Sequence, residues 1–222
     1  MTAVFVTSTG TNIGKTFVTA GLIRHFRNAG RAVNAIKPVV SGFTAAAAAA
    51  SDPGLLLAAL GRPVTMEEID RIAPWRYEPG VAPDLAAKLE GRVLDYAALI
   101  DFSQRAMTRN ELLFIEGVGG VMVPLDERHT VIDWISRLRV PVIVVAGSYL
   151  GTISHTLTAL HVLAQRNLST IAVVVSETPG SPVPLDETVA SISRFADMID
   201  VIPLPRDDVQ ARAAFEVLAA LL

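Results

Sequence analysis

The chain has 222 residues, of which 51% are hydrophobic and 18% charged, with a net charge of −3 and no cysteine. That length supports a large apolar core, and the balance of residues is that of an ordinary globular protein. The charge excludes a dedicated nucleic-acid or membrane-surface binder, and the missing cysteines exclude disulfides, Cys-ligated zinc and iron–sulfur centres. No basic region precedes an apolar run at the start, and no apolar stretch approaches the roughly 20 residues of a bilayer span. Cytoplasm is the expected compartment, with neither membrane nor nucleic acid as partner.

Ala3 to Val6 is a short β-branched and aromatic run that predicts a buried strand. Ser8-Thr9-Gly10-Thr11-Asn12-Ile13-Gly14-Lys15-Thr16 follows as a Gly-rich loop. A helix over Lys15 to Asn28 comes next, with Val18, Leu22, Ile23 and Phe26 at helical spacing and Gly30 as its stop. Gly-Lys-Thr opening a helix is a phosphate-binding arrangement. Loop and first-turn N–H groups point at the anion, Lys15 reaches the terminal phosphates, and the Thr16 hydroxyl is placed for Mg²⁺. The standard spacing G-x-x-x-x-G-K-[ST] puts a glycine where Thr9 stands; the nearest glycine is Gly10.

Ala32 to Ile36 is a second strand, and with the first it makes a right-handed parallel βαβ unit. Lys37-Pro38-Val39-Val40-Ser41-Gly42 closes it. Lys37 therefore emerges on the edge that carries the P-loop, where ligands of open α/β sheets bind, and Pro38 ends the ladder. Ala45 to Ala50 reads as a low-complexity loop. Ser51 or Asp52 caps a short helix through Leu60, with Pro53 in its first turn. Pro63 to Glu90 is turn-rich, apart from a helix over Asp84 to Leu89. Leu94 to Arg109 is an amphipathic helix.

Leu112 to Ile115 is a third strand and delivers Glu116-Gly117-Val118-Gly119-Gly120. A carboxylate ending an apolar strand follows Walker-B logic, a ligand in the Mg²⁺ shell beside the P-loop Thr. Val131 to Leu138 is a helix, Pro141 to Ala146 a fourth strand, Thr152 to Gln165 a helix, and Ile171 to Val175 a fifth strand leading to Ser176. Leu185 to Phe195 is helical, Val201-Ile202 begins the last strand, and a helix runs from Asp207 to the end. Strands alternate with helices and read as continuous apolar runs. The expected fold is therefore α/β, with a mostly parallel twisted sheet under helices on both faces and one domain over residues 1–222.

Several blocks, in order, resemble the dethiobiotin synthetase family of P-loop enzymes. Residues 8–16 are similar to its loop G-T-D-T-x-V-G-K-T, and Lys37 to Gly42 to its K-P-V-x-S-G. Asp52 is similar to the acidic residue of its next loop. Ala82-Pro83-Asp84-Leu85-Ala86-Ala87 is similar to S-P-H-x-A-A. Glu116 to Gly120 with Pro124 is similar to E-G-x-G-G-x-x-x-P, and Gly151-Thr152-Ile153-Ser154-His155 to G-x-x-N-H. The resemblance implies ATP-dependent closure of a cyclic urea from 7,8-diaminopelargonate and CO₂, through a carbamate and its mixed anhydride with phosphate. It implies Lys37, Lys15 and Thr11 as catalytic residues. Asn12, Ile13, Gly14, Lys15, Thr16, Phe17, Glu116, Ser176, Pro203, Leu204 and Pro205 are implied for the nucleotide. Thr16, Asp52 and Glu116 are implied for Mg²⁺, and Thr11, Ser41, Gly119, Gly151 and Ser154 for the substrate, the last two from the second subunit of a homodimer. Four positions depart from the pattern: Ser8 stands for the leading glycine, Gly10 for the loop's acidic residue, Ser154 for an Asn, and Ser176 for the Asn that reads adenine. Two other readings compete. A partition- or septum-type P-loop ATPase switch usually carries a second lysine in the loop, where Gly10 or Thr11 stands here. A cobalamin-pathway amidotransferase-like synthetase needs a nucleophilic cysteine, which this chain lacks.

Overall fold

The computed structural model describes residues 2–222. Six strands form one parallel sheet: β1 (Thr2–Ser8), β2 (Asn34–Ile36), β5 (Leu112–Glu116), β6 (Val142–Gly147), β7 (Thr170–Ser176) and β8 (Asp200–Leu204), in the order β2-β5-β1-β6-β7-β8. Every residue of β5 and β6 is buried. Side chains alternate between the two faces of a strand, so burial at every position requires cover on both. These are the six strands expected from the sequence. The order runs outward from β1 in both directions, which places a crevice at its carboxyl end.

The helices are α1 (Lys15–Asn28), α2 (Asp52–Ala59), α3 (Met66–Ile72), α4 (Pro83–Leu89), α5 (Tyr96–Arg109), α6 (Val131–Leu138), α7 (Thr152–Gln165), α8 (Leu185–Ser193) and α9 (Asp208–Ala219). α1 packs on β1 and β5 with α2 and α9 beside it; α5 lies against α6, and α7 against α8. Among the described residues no helix is long and apolar enough to cross a membrane. Buried Trp134 of α6 meets Phe5 of β1 edge-on at 4.8 Å, and its indole N–H donates to Ser103 Oγ at 3.1 Å. A large aromatic ring is thus buried with its one polar atom satisfied.

Three segments differ from the sequence reading. First, Pro38 lacks an N–H and the ladder of β2 stops there, but the chain stays extended. Val39–Ser41 becomes β3 and pairs in parallel with β4 (Trp75–Tyr77) in a separate two-stranded sheet. Lys37 sits at the joint, its N–H donating to Ile72 O at 3.0 Å. Second, the turn-rich stretch 63–90 holds α3 and β4 as well as α4. Third, Ala45–Ala50 is a 3₁₀ helix rather than a loop. Ser51 Oγ donates to Ala48 O at 2.6 Å, and a Cβ on Gly54 would stand 2.1 Å from that same oxygen. The glycine lets α2 close on the alanine run and hold it.

The entry to α6 carries a testable part of the stability. Asp133 Oδ2 accepts from the N–H and the hydroxyl of Thr130 at 2.8 and 2.9 Å, and Oδ1 from Arg166 at 3.3 Å. Burial opposes ionisation, but the Thr130 bonds and Arg166 outweigh it and hold the carboxyl below its ordinary 3.8. Asp133→Ala is expected to lose about 1 kcal/mol, a fall in Tm of roughly 2–4 °C by thermal unfolding. A depressed folded pKa contributes stability that is present above the unfolded value and fades as pH falls through the folded one. The gap between wild type and variant should therefore close below about pH 4.

Candidate functional site

β1 ends in the loop that the glycines shape. Asn12 has φ +57° and Gly14 φ +113°, and a Cβ on Gly14 would stand 2.8 Å from Ser176 Oγ. Gly14 is the N-cap of α1 with no side-chain hydrogen bond, so the first-turn N–H groups have no internal partner. They and the positive end of the helix dipole face the crevice, a ready anion site.

Lys15, the first helical residue, folds back over the loop. Its ammonium donates to Ser8 Oγ at 3.1 Å and to Gly10 O at 3.4 Å. Burial pushes its pKa down to about 8; the nearby Lys37 charge adds to the fall, while Glu116 and Asp52 oppose it. A cation so poorly solvated gains strongly from an anionic partner.

Thr16, next on the helix, meets two carboxylates. Its Oγ1 is 2.8 Å from Asp52 Oδ1 and 2.7 Å from Glu116 Oε1. A hydroxyl has one proton and serves one of them at a time. Lys37 closes the group: its Nζ is 2.9 Å from Glu116 Oε1, 3.1 Å from Asp52 Oδ2 and 2.6 Å from Gly117 O. Three protons meet three acceptors. Exposure separates the partners, with Lys37 at 2%, Glu116 at 0% and Asp52 at 43%. Burial alone would depress the Lys37 pKa, but the two carboxylates outweigh it and raise it. Asp52 moves the other way: burial is outweighed by Lys37 and the Thr16 hydroxyl, and its pKa falls. Asp52 is free for this work because Ser51 caps α2, its Oγ accepting from Gly54 N at 3.3 Å.

Glu116 Oε2 is buried with no hydrogen-bond partner among the described residues. Its other oxygen, Oε1, already meets the Thr16 hydroxyl and the Lys37 ammonium, and a carboxylate oxygen left bare in such a group marks a place for a cation. The donors are hard oxygens and few. Among the described residues no cluster of three or more His, Cys, Asp or Glu gathers anywhere. That set suits a small divalent ion that takes its remaining ligands from water and phosphate.

Above these groups lies a cleft of about 560 Å³. Thr11 to Phe17, Lys37, Ser41, Asp52 and Gly119 line it, and Glu116, fully buried, touches Thr16 and Lys37 of that lining. Ser41 Oγ is buried and has no partner among the described residues. Ser176 and Pro203 to Pro205 stand on the other flank of the loop, where Ser176 of β7 pairs with Leu204 of β8. Gly151 and Ser154 do not line the cleft of their own chain; they are exposed at the start of α7 beside Leu150, which is 91% exposed.

A family model described as an AAA domain matches residues 2–221. The ATP-dependent dethiobiotin synthetase of Phenylobacterium zucineum (strain HLK1) is 46% identical across 99% of this chain and 96% of its own. Its counterpart in Caulobacter sp. (strain K31) is 47% identical across 94% and 90%. The chain belongs to the ATP-dependent dethiobiotin synthetase family. The cell division ATPase MinD of Pyrococcus furiosus superposes with a TM-score of 0.60 over 100% of this chain and 98% of its own, at 15% identity. That likeness is one of fold alone, and the septum-type reading gains nothing more from it.

Part of the site had no role in the sequence reading, although Ala82 and Pro83 open the block that resembles S-P-H-x-A-A. Gly80, Val81, Ala82 and Pro83 form one wall, brought in by β4 and the turn after it. Gly42, at φ +76°, lies against Gly80, with a Cβ on Gly42 only 3.5 Å from the Gly80 Cα. Arg206 stacks its guanidinium 4.5 Å from the centre of the Phe17 ring and donates from Nε to Glu177 O at 2.9 Å. It was legible only as the residue after Pro203-Leu204-Pro205.

Proposed function

We propose that the chain, acting as one catalytic unit, closes the cyclic urea of dethiobiotin. The substrates are 7,8-diaminopelargonate, CO₂ and ATP, and the products are dethiobiotin, ADP and phosphate. An amine of the substrate adds to CO₂ and loses a proton, giving a carbamate. A carbamate oxygen attacks the γ-phosphorus of ATP, and ADP leaves with the bond electrons. The second amine then attacks the carbonyl of the mixed anhydride and expels phosphate.

The observation that carries this reading is the buried Lys37 ammonium, held between Glu116 and Asp52 beside the P-loop. Carbamate and triphosphate are both anions, and bringing them together requires fixed positive charge. Lys15 and Lys37 supply it, already desolvated and already oriented. Asp52 is the half-exposed partner of Lys37, so an incoming anion accepts a hydrogen bond from that ammonium most readily by displacing Asp52. Thr16, Asp52 and Glu116 would hold Mg²⁺, which when bound offsets the charge of the phosphates. Thr11, Ser41 and Gly119, which line the cleft, would face the acceptor. Gly151 and Ser154, turned away from it, would serve the substrate tail of a second subunit in a homodimer. Ser176 and Pro203 to Pro205 would border the base, and cytoplasm is the compartment this metabolic role suits.

The test is direct. Purified protein with ATP, bicarbonate and 7,8-diaminopelargonate should form dethiobiotin and ADP in equal amounts, followed by mass spectrometry. Hydrolysis of ATP that ignores the diamine and responds to DNA or lipid would overturn the reading.

A further inference from the structure

Ser8 ends β1 fully buried, beneath the loop it opens. Its hydroxyl carries one proton and can accept twice. Four polar groups crowd it: Lys15 Nζ at 3.1 Å, Gly119 O at 3.0 Å, Gly10 N at 3.4 Å, and Gly10 O. Lys15 Nζ also reaches Gly10 O at 3.4 Å. Gly10 O, at 2.5 Å, and Gly119 O compete for the one Ser8 proton. Lys15 donates to Ser8 Oγ and also serves Gly10 O, whereas among the described residues Gly119 O has no donor but Ser8.

This relay crosses a seam where two backbones touch. Gly117 N donates to Val6 O at 2.9 Å and Val121 N to Ser8 O at 3.2 Å. A Cβ on Gly120 would stand 3.2 Å from Ser8 O and 3.3 Å from Gly10 N. The backbone bonds fix the strand end to the glycine loop 117–121. Among the contacts across this seam, the Ser8 hydroxyl is the one that also holds the lysine.

We propose that Ser8 is a positioning residue. It sets the Lys15 ammonium and the Gly119 carbonyl in register, and so joins the phosphate side of the cleft to the acceptor side. What the two sides hold rests on the ring-closure reading above; the relay itself does not. In-line attack needs the acceptor oxygen and the phosphorus aligned, and a loosened seam misplaces them after both have bound. The loss then falls on kcat rather than on KM.

Ser8→Ala is expected to lower kcat about tenfold with KM for ATP and diamine within about twofold of wild type. Ser8→Thr, which keeps the hydroxyl, should restore most of it. Hydrogen–deuterium exchange gives a second readout that needs no substrate: amides of 117–121 should exchange faster in Ser8→Ala than in wild type. Unchanged exchange there, a kcat within twofold, or a loss in Ser8→Thr as large as in Ser8→Ala overturns the role. A wild-type protein that makes no dethiobiotin refutes ring closure instead, and the exchange result alone then decides for or against Ser8.

Discussion

Lys37→Met is expected to lower the rate of dethiobiotin formation about 10³-fold, the scale seen when a charge placed for phosphoryl transfer is lost. Methionine nearly matches lysine in length, so the change removes charge and donors more than volume. All three protons of the ammonium are in use, on Glu116, Asp52 and Gly117 O. Without them two carboxylates face one Thr16 proton, and Glu116 lies at 0% exposure. Breaking a buried pair this way costs about 3–5 kcal/mol. The variant should therefore melt well below wild type, and turnover must be measured at a temperature where circular dichroism shows it folded. ATP affinity should suffer much less, because Lys15 and the N-terminus of α1 remain. A folded Lys37→Met enzyme with near-normal turnover would remove Lys37 from the mechanism.

The parts of this protein that could be read from its sequence share a physical cause. The six sheet strands are continuous apolar runs because both faces of the sheet are covered. Lys15, Lys37 and Glu116 were found because each stands where a strand ends or a helix begins, and the parallel topology brings those points to one edge. β3 and β4 have three residues each, too few for a period to show; Pro38 ends the β2 ladder as read, but nothing in the sequence marks that the chain stays extended into a second sheet. α3 did leave a signal: Thr65 with Glu68 three residues on, whose N–H donates to Thr65 Oγ1 at 3.3 Å. It lies in a stretch that its prolines mark as turn-rich. Asp52 was ambiguous because Ser51 and Asp52 cap helices equally well, and only the structure shows Ser51 taking the cap. Ser8 was visible as a departure but not as a relay, because its partner Gly119 is 111 residues away.

Glu116→Gln is the second large effect, and it separates the two carboxylates. The side chains are nearly isosteric, so Oε1 can still accept from Lys37 and Thr16. The amide then falls where Oε2 stands, buried and without a partner among the described residues. A donor replaces an anionic acceptor at the position argued to face the cation. Turnover should fall by about 10²–10³, the range for losing one preorganised electrostatic contact, and saturation should need more Mg²⁺. Asp52→Asn removes the same formal charge from the same two partners. Asp52, however, is 43% exposed, and water can replace what it loses. Its effect should be the milder one, about tenfold, because solvent screens a half-exposed charge. Mg²⁺ titrations of turnover for the two variants side by side measure this order. Equal losses would mean that burial does not rank the ligands. A Glu116→Gln enzyme with wild-type turnover and unchanged Mg²⁺ dependence would take Glu116 out of the metal shell and leave it as the counter-charge that holds Lys37 in place.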